Sequence, residues 1–159
     1  MNNVSLFYNC VILYGLNKIT FVYKYLLRSN PKIMKAKKLQ NIEVTLMKEG
    51  ILHIHLKADS EITLTDAVLA VEKMGKISNG KKMPVFIDAE EFCIIDKEAR
   101  IFSASEESNI YTLADAIAYS NLGQKLIASF YLNQNNPSVP TKVFSEKIEA
   151  IKWLQTYLK

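Results

Sequence analysis

Apolar and polar positions along this chain alternate first with the period of a strand and then with that of a helix. Val44 and Leu46 have polar neighbours, Glu49-Gly50 is a turn signal, and Leu52, Ile54 and Leu56 alternate with His53 and His55. Successive strand side chains point to opposite faces, so this pattern predicts a β-hairpin with one buried face. Thr63 with Asp66 three residues on is a helix start. Leu64, Ala67, Val68, Val71 and Met74 then recur at helical spacing until Asn79-Gly80, where glycine accepts the left-handed conformation that stops a helix. Pro84 precedes Val85-Phe86-Ile87, a short apolar run that suits a strand buried on both faces.

The second half continues the alternation. Asp96 is placed to cap a second helix through Ala99 and Phe102, and residues 114–119 read as the next strand. Leu122, Leu126, Ile127, Phe130 and Tyr131 mark a third helix, followed by a polar, proline-containing loop over 133–140 and a strand over 141–144. Ser145 is expected to cap a final helix with Ile148, Ile151, Leu154 and Leu158 on one stripe. Glu146 falls in its first turn, where the helix dipole favours an anion. The order ββαβαβαβα predicts an α/β fold, with a mixed, mostly parallel sheet and helices packed on it.

Composition divides the chain in two. Its 159 residues amount to one domain, and residues 39–159 suffice for one packed core. Residues 1–38 carry seven basic and no acidic residues, so the net +4 of the chain belongs to them. The other thirteen basic residues face all sixteen acids, which leaves residues 39–159 at −3 and argues against a nucleic-acid partner for the body. Residues 1–33 contain no Ala, Asp or Glu and are dominated by Asn, Lys, Ile, Phe, Tyr and Leu, which AT-rich codons encode. The expected division is therefore 1–33 as an N-terminal appendage from a mis-assigned start, and 34–159 as the domain, opening at Met34-Lys35-Ala36-Lys37-Lys38.

Other readings of the first segment compete with that one. An interfacial or partner helix would use Lys18, Lys24 and Arg28 as lipid contacts, and a basic arm would contact nucleic acid. A membrane span over residues 6–27 is interrupted by Asn9, Asn17, Lys18 and Lys24. A secretory signal would place its basic residues ahead of the apolar run, and here they follow it. Membrane contact is thus expected only if residues 1–33 are genuine.

Few motifs carry chemistry. Gly75-Lys76-Ile77-Ser78-Asn79-Gly80-Lys81-Lys82 fits G-x-x-x-x-G-K, but Lys82 replaces the magnesium-binding Ser or Thr. It also closes a helix, whereas a phosphate loop opens one. His53-x-His55 places two imidazoles on one strand face, but metal binding needs further ligands and none lies nearby in sequence, so no metal is expected. Cys93, in Phe92-Cys93-Ile94-Ile95, reads as a packed small hydrophobe. With Cys10 it suggests a reducing, cytoplasmic setting. Glu90-Glu91 and Glu106-Glu107 are adjacent pairs whose members point apart, so neither makes an acid/base dyad. No nucleophile elbow or Cys-His signature occurs, and neither catalysis nor a cofactor is expected.

Two places retain interest. Asp88 follows the buried strand at 85–87, where ligands of parallel α/β sheets collect, and Asp96 opens the next helix with Arg100 one turn in, able to pair with either acid. On the third helix, Ile127, Phe130 and Tyr131 widen the apolar stripe, either as extra core or as the lining of a ligand groove or partner surface.

Several strings resemble those of STAS-type domains, the fold of bacterial anti-sigma factor antagonists, and in particular uncharacterised bacterial proteins described as STAS/CRAL-TRIO-like. They are Glu61-Ile62-Thr63-Leu64-Thr65-Asp66-Ala67, Pro84-Val85-Phe86-Ile87-Asp88-Ala89, Glu98-Ala99-Arg100, Leu126-Ile127-Ala128-Ser129-Phe130-Tyr131, Val139-Pro140-Thr141-Lys142-Val143-Phe144 and Glu149-Ala150-Ile151-Lys152-Trp153-Leu154. Antagonists of that family carry a phosphorylatable serine at the start of the second helix. Here Lys97 stands in its place beside Asp96, and a lysine cannot acquire the phosphate charge. The resemblance implies a STAS-like interaction or regulatory module without the usual switch serine, meeting an unidentified protein partner around Asp88, Asp96 and Arg100 or forming a homodimer. The alternative it implies is a binder of a lipid or other apolar small molecule, using Ile127, Phe130 and Tyr131.

Overall fold

The computed structural model describes residues 39–158. The expectations placed on residues 1–33 and on a start at Met34 lie outside the described residues. Among the described residues, seven strands and four helices follow in order. They are β1 (Ile42–Leu46), β2 (Leu52–Leu56), β3 (Glu61–Ile62), α1 (Leu64–Ile77), β4 (Met83–Ala89), β5 (Ile94–Ile95), α2 (Lys97–Ala104), β6 (Thr112–Ala118), α3 (Leu122–Asn135), β7 (Thr141–Phe144) and α4 (Lys147–Gln155). A short 3-10 turn, Ser108–Tyr111, precedes β6. The main sheet has the order β1-β2-β4-β6-β7, antiparallel between β1 and β2 and parallel elsewhere. This is the mixed, mostly parallel α/β arrangement expected of a STAS-like domain. Two elements escape the sequence pattern, since β3 and β5 are two residues each and pair in a separate parallel ribbon.

Side-chain alternation gives the sheet two distinct faces. Val44, Leu52, Leu56 and Val85 point to one face and pack with Ala70 and Met74 of α1. Phe86, Ala114 and Ala116 point to the other and pack with Ala150 and Leu154 of α4. Helix α1 begins with a reciprocal capping box: Thr63 Oγ1 accepts from the Asp66 amide, and Asp66 Oδ2 accepts from the Thr63 amide at 3.1 Å. It ends at Ile77, before Asn79 and Gly80, both at positive φ. Gly75 lies inside the helix, where an added Cβ would sit 2.5 Å from the Tyr111 ring. That stretch is therefore a packing and stop signal rather than a phosphate loop.

The final helix differs in two details. Its cap position is Glu146, without a side-chain cap bond, and not Ser145. Its buried residues are Ala150 and Leu154, while Ile148 is exposed. Ile148 lies about 200° around the helix from Ala150 at 100° per residue, too far to share its face. Among the described residues, no helix is long and apolar enough to cross a membrane.

Candidate functional site

Helix α3 is the element that turns the fold into a site. Asn121 caps it by accepting from the Gln124 amide at 2.9 Å, and Gln124 Nε2 donates to the Ala89 carbonyl at 3.0 Å. These bonds fasten its N-terminus to the carboxyl end of β4. Along the rest of the helix only Ala128 is buried. The apolar stripe does not enter the core: Leu122, Leu126 and Phe130 are 70%, 62% and 52% exposed. Spacing reveals that a helix has an apolar face, but not whether anything covers it.

The space left between α3 and the first face of the sheet is a cavity of about 570 Å³. Ile54, Val85, Ile87 and Ile117 form its sheet wall, Val71 and Met74 its α1 wall, and Ile127, Ala128 and Tyr131 its α3 wall. Exposed Phe92, from the β4–β5 connection, and Ile94, the first residue of β5, also line it. Phe92 holds a left-handed backbone at φ 58°, unusual for a bulky residue. Cys93 also lines the cavity; burial raises its thiol pKa, and Ser60 Oγ lies 3.5 Å from its sulfur. Its place among apolar side chains agrees with the packed small hydrophobe expected of it.

Among the polar residues on the wall are Asp115, Tyr131 and Arg100. Asp115 extends from the middle of β6 with 6% exposure, and burial pushes its carboxyl up to about 7. No hydrogen bond to that carboxyl occurs among the described residues, and the shift has no opposing cause. At neutral pH a large fraction therefore carries a proton and can donate a hydrogen bond. Tyr131 also has its pKa raised, by burial first and by the Asp115 charge second. Arg100 donates from Nη1 to the Ile95 carbonyl at 2.9 Å and lies over the Phe130 ring at 5.8 Å. Its Nε is buried with no hydrogen-bond partner among the described residues.

The other expected site residues separate. Asp96 accepts from the Ala99 amide at 2.6 Å as the cap of α2. Asp88 points to the opposite sheet face, so the expected pairing of Arg100 with either acid does not form among the described residues. On that face Asp88 Oδ1 meets His53 Nε2 at 2.9 Å and His55 Nδ1 at 2.7 Å. His55 Nε2 meets Glu90 Oε1 at 3.0 Å, and Glu90 Oε2 accepts from the Ala58 amide at 2.9 Å. The bond to Asp88 is the largest influence on the His55 pKa and, with Glu90, raises it despite burial. For Asp88, burial acts upward, but the two imidazoles outweigh it and lower its pKa. The Ala58 amide and His55 lower that of Glu90.

Sequence reasoning missed Asp115 and Glu90. A single acid between Ala114 and Ala116 was a usable signal, because the interior of a parallel sheet rarely holds a carboxyl without a role. Glu90 had none, since only the register of β2 against β4 brings it to His55.

No curated protein matches this sequence. Among solved structures, an uncharacterised DUF3478-family protein with a SpoIIAA-like fold from Shewanella loihica PV-4 aligns at a TM-score of 0.49 and 16% identity. The alignment covers 71% of this chain and 91% of that one. A protein of unknown function from Arthrobacter sp. FB24 aligns at a TM-score of 0.26 and 20% identity, over 75% of this chain and 97% of that one. A family model described as a domain of unknown function, DUF7793, matches residues 45–158, and the chain belongs to that family.

Proposed function

We propose that this domain is a binding module that takes up an apolar small molecule bearing a polar end group. The observation that carries this reading is the cavity between α3 and the sheet. At about 570 Å³ it falls within the range of small-molecule sites. Aliphatic side chains from three elements supply area to bury, worth about 25 cal/mol per Å² of apolar surface. Asp115, whose carboxyl has no hydrogen bond among the described residues, and the Arg100 side chain stand among the lining residues. A ligand with a carboxylate or other acceptor would gain from the guanidinium and from the protonated form of Asp115.

A protein partner is the second reading, favoured by the exposure of Leu122, Leu126 and Phe130 on one helix. Asp96 and Asp88 already bond within the domain, so α3 suits such a contact better than the start of α2.

Filling the cavity separates these readings. Ala128→Trp places an indole into the space from the inward side of α3. With oleate and 1-anilinonaphthalene-8-sulfonate as probes, the full chain should bind both, and the variant should lose at least about tenfold in affinity while keeping a cooperative melt. Equal probe binding by both proteins would place any apolar site elsewhere, on the exposed α3 surface.

A further inference from the structure

The cluster around His53 and His55 lies on the opposite sheet face from Ile54 and Val85, although Asp88 and Glu90 also reach the border of the cavity. We propose that His53, His55 and Asp88 form a binding site for a divalent transition metal of the zinc class. Nε2 of His53, Nδ1 of His55 and a carboxylate oxygen of Asp88 all lie within 4.8 Å of one another. Both imidazole nitrogens converge on the same oxygen, at 2.9 and 2.7 Å. Two ligands held about 2.0–2.1 Å from one metal at a tetrahedral angle stand about 3.3–3.4 Å apart. Moving the Asp88 oxygen outward by about half an ångström therefore opens a tetrahedral seat, and this carboxylate is only half-buried.

Three further features belong to a metal site more than to a simple ion pair. His53 and His55 sit two residues apart on β2, and His55 lies directly opposite Asp88 on β4. All three ligands thus come from adjacent hydrogen-bonded strands, where backbone position is fixed. The far nitrogen of His55 meets Glu90, whose other oxygen is held by the Ala58 amide. A carboxylate behind an imidazole is the outer-shell arrangement that orients a metal-binding histidine. On one side the Phe86 ring stands 5.3 Å from the His53 ring, while the partial exposure of all three ligands leaves a coordination position open to water. Two imidazoles and one carboxylate are a borderline-soft set that suits zinc, cobalt, nickel or iron better than magnesium or calcium.

Calorimetric titration of Zn²⁺ into metal-free full-length protein tests the site, with Co²⁺ absorption as a second readout. One equivalent should bind with micromolar or tighter affinity, and Co²⁺ should give visible ligand-field bands. H53A and H55A should each lose more than about 100-fold in affinity, beyond the 10- to 100-fold typical of outer-shell changes, and E90Q should fall within that smaller range. The unfolding transition of each variant, followed by Trp153 fluorescence, shows whether it is folded. Zn²⁺ affinity weaker than millimolar would overturn the proposal. So would unchanged affinity in folded H53A and H55A, which would assign the metal to other residues. If H53A and H55A fail to fold, the conservative H53Q and H55Q variants take their place under the same criteria, and the wild-type Co²⁺ bands must still appear.

Discussion

Replacing Asp115 with Asn should remove a pH dependence of stability whose size follows from the burial of this carboxyl. Burial raises this carboxyl from its ordinary 3.8 to about 7. The folded state therefore holds a proton that the unfolded state gives up between those values. Stability is unaffected by this group below about pH 4, falls as pH rises through the interval, and is fully diminished once pH exceeds about 7. The difference of about three pH units corresponds to a loss of up to about 4 kcal/mol. That would be a large share of the 5–15 kcal/mol typical of whole domains. The amide of D115N has nearly the same shape and cannot ionise. The other titrating groups, His55, Asp88 and Glu90 among them, remain in both proteins and cancel in the comparison.

Trp153 is the only tryptophan and packs against Phe144 and Tyr157, so its fluorescence reports unfolding of the α4 face. Urea unfolding at intervals from pH 4.5 to 8.5 should show wild type losing stability relative to D115N as pH rises. The two curves should diverge by several kcal/mol and level off above about pH 7.5. Toward low pH the two proteins should approach equal stability, because the neutral acid and the amide are near equivalents. Parallel pH profiles for the two proteins would refute the reasoning, because they would mean that Asp115 is ionised and solvated in the folded state.

Removing the Asp96 cap in D96A should cost about 1 kcal/mol, read as a lower urea midpoint with an unchanged slope, because one amide at the start of α2 loses its acceptor. Truncating buried Leu154 to Ala should cost about 2–5 kcal/mol by the same measurement, since α4 contributes little else that is fully buried. The double change L126S/F130S should leave the midpoint within about 0.5 kcal/mol per site, because both side chains are already exposed; a larger loss would show that α3 packs more tightly than its exposure indicates.

Much of the fold was legible because its signals are local. The Thr63–Asp66 box, the Asn79-Gly80 stop and the Asp96 cap each act within a few residues, and each is formed as expected. The hairpin followed from strict alternation, and its register pairs Val44 with Ile54. What the sequence hid depends on long-range geometry. His53 and His55 acquire Asp88 and Glu90 only through strand pairing across 33 to 35 residues. The stripe of α3 left both extra core and a groove lining open, because periodicity cannot distinguish a face that packs from one that stands off and leaves a cavity. The two-residue strands β3 and β5 are shorter than any alternation that could announce them.

Native mass spectrometry of the full chain, purified gently from its own source and then incubated with oleate, tests the central claim most directly. Uptake into the cavity predicts a stoichiometric added mass, present as isolated or gained with oleate, and absent from A128W. A bare chain mass under both conditions would contradict the account.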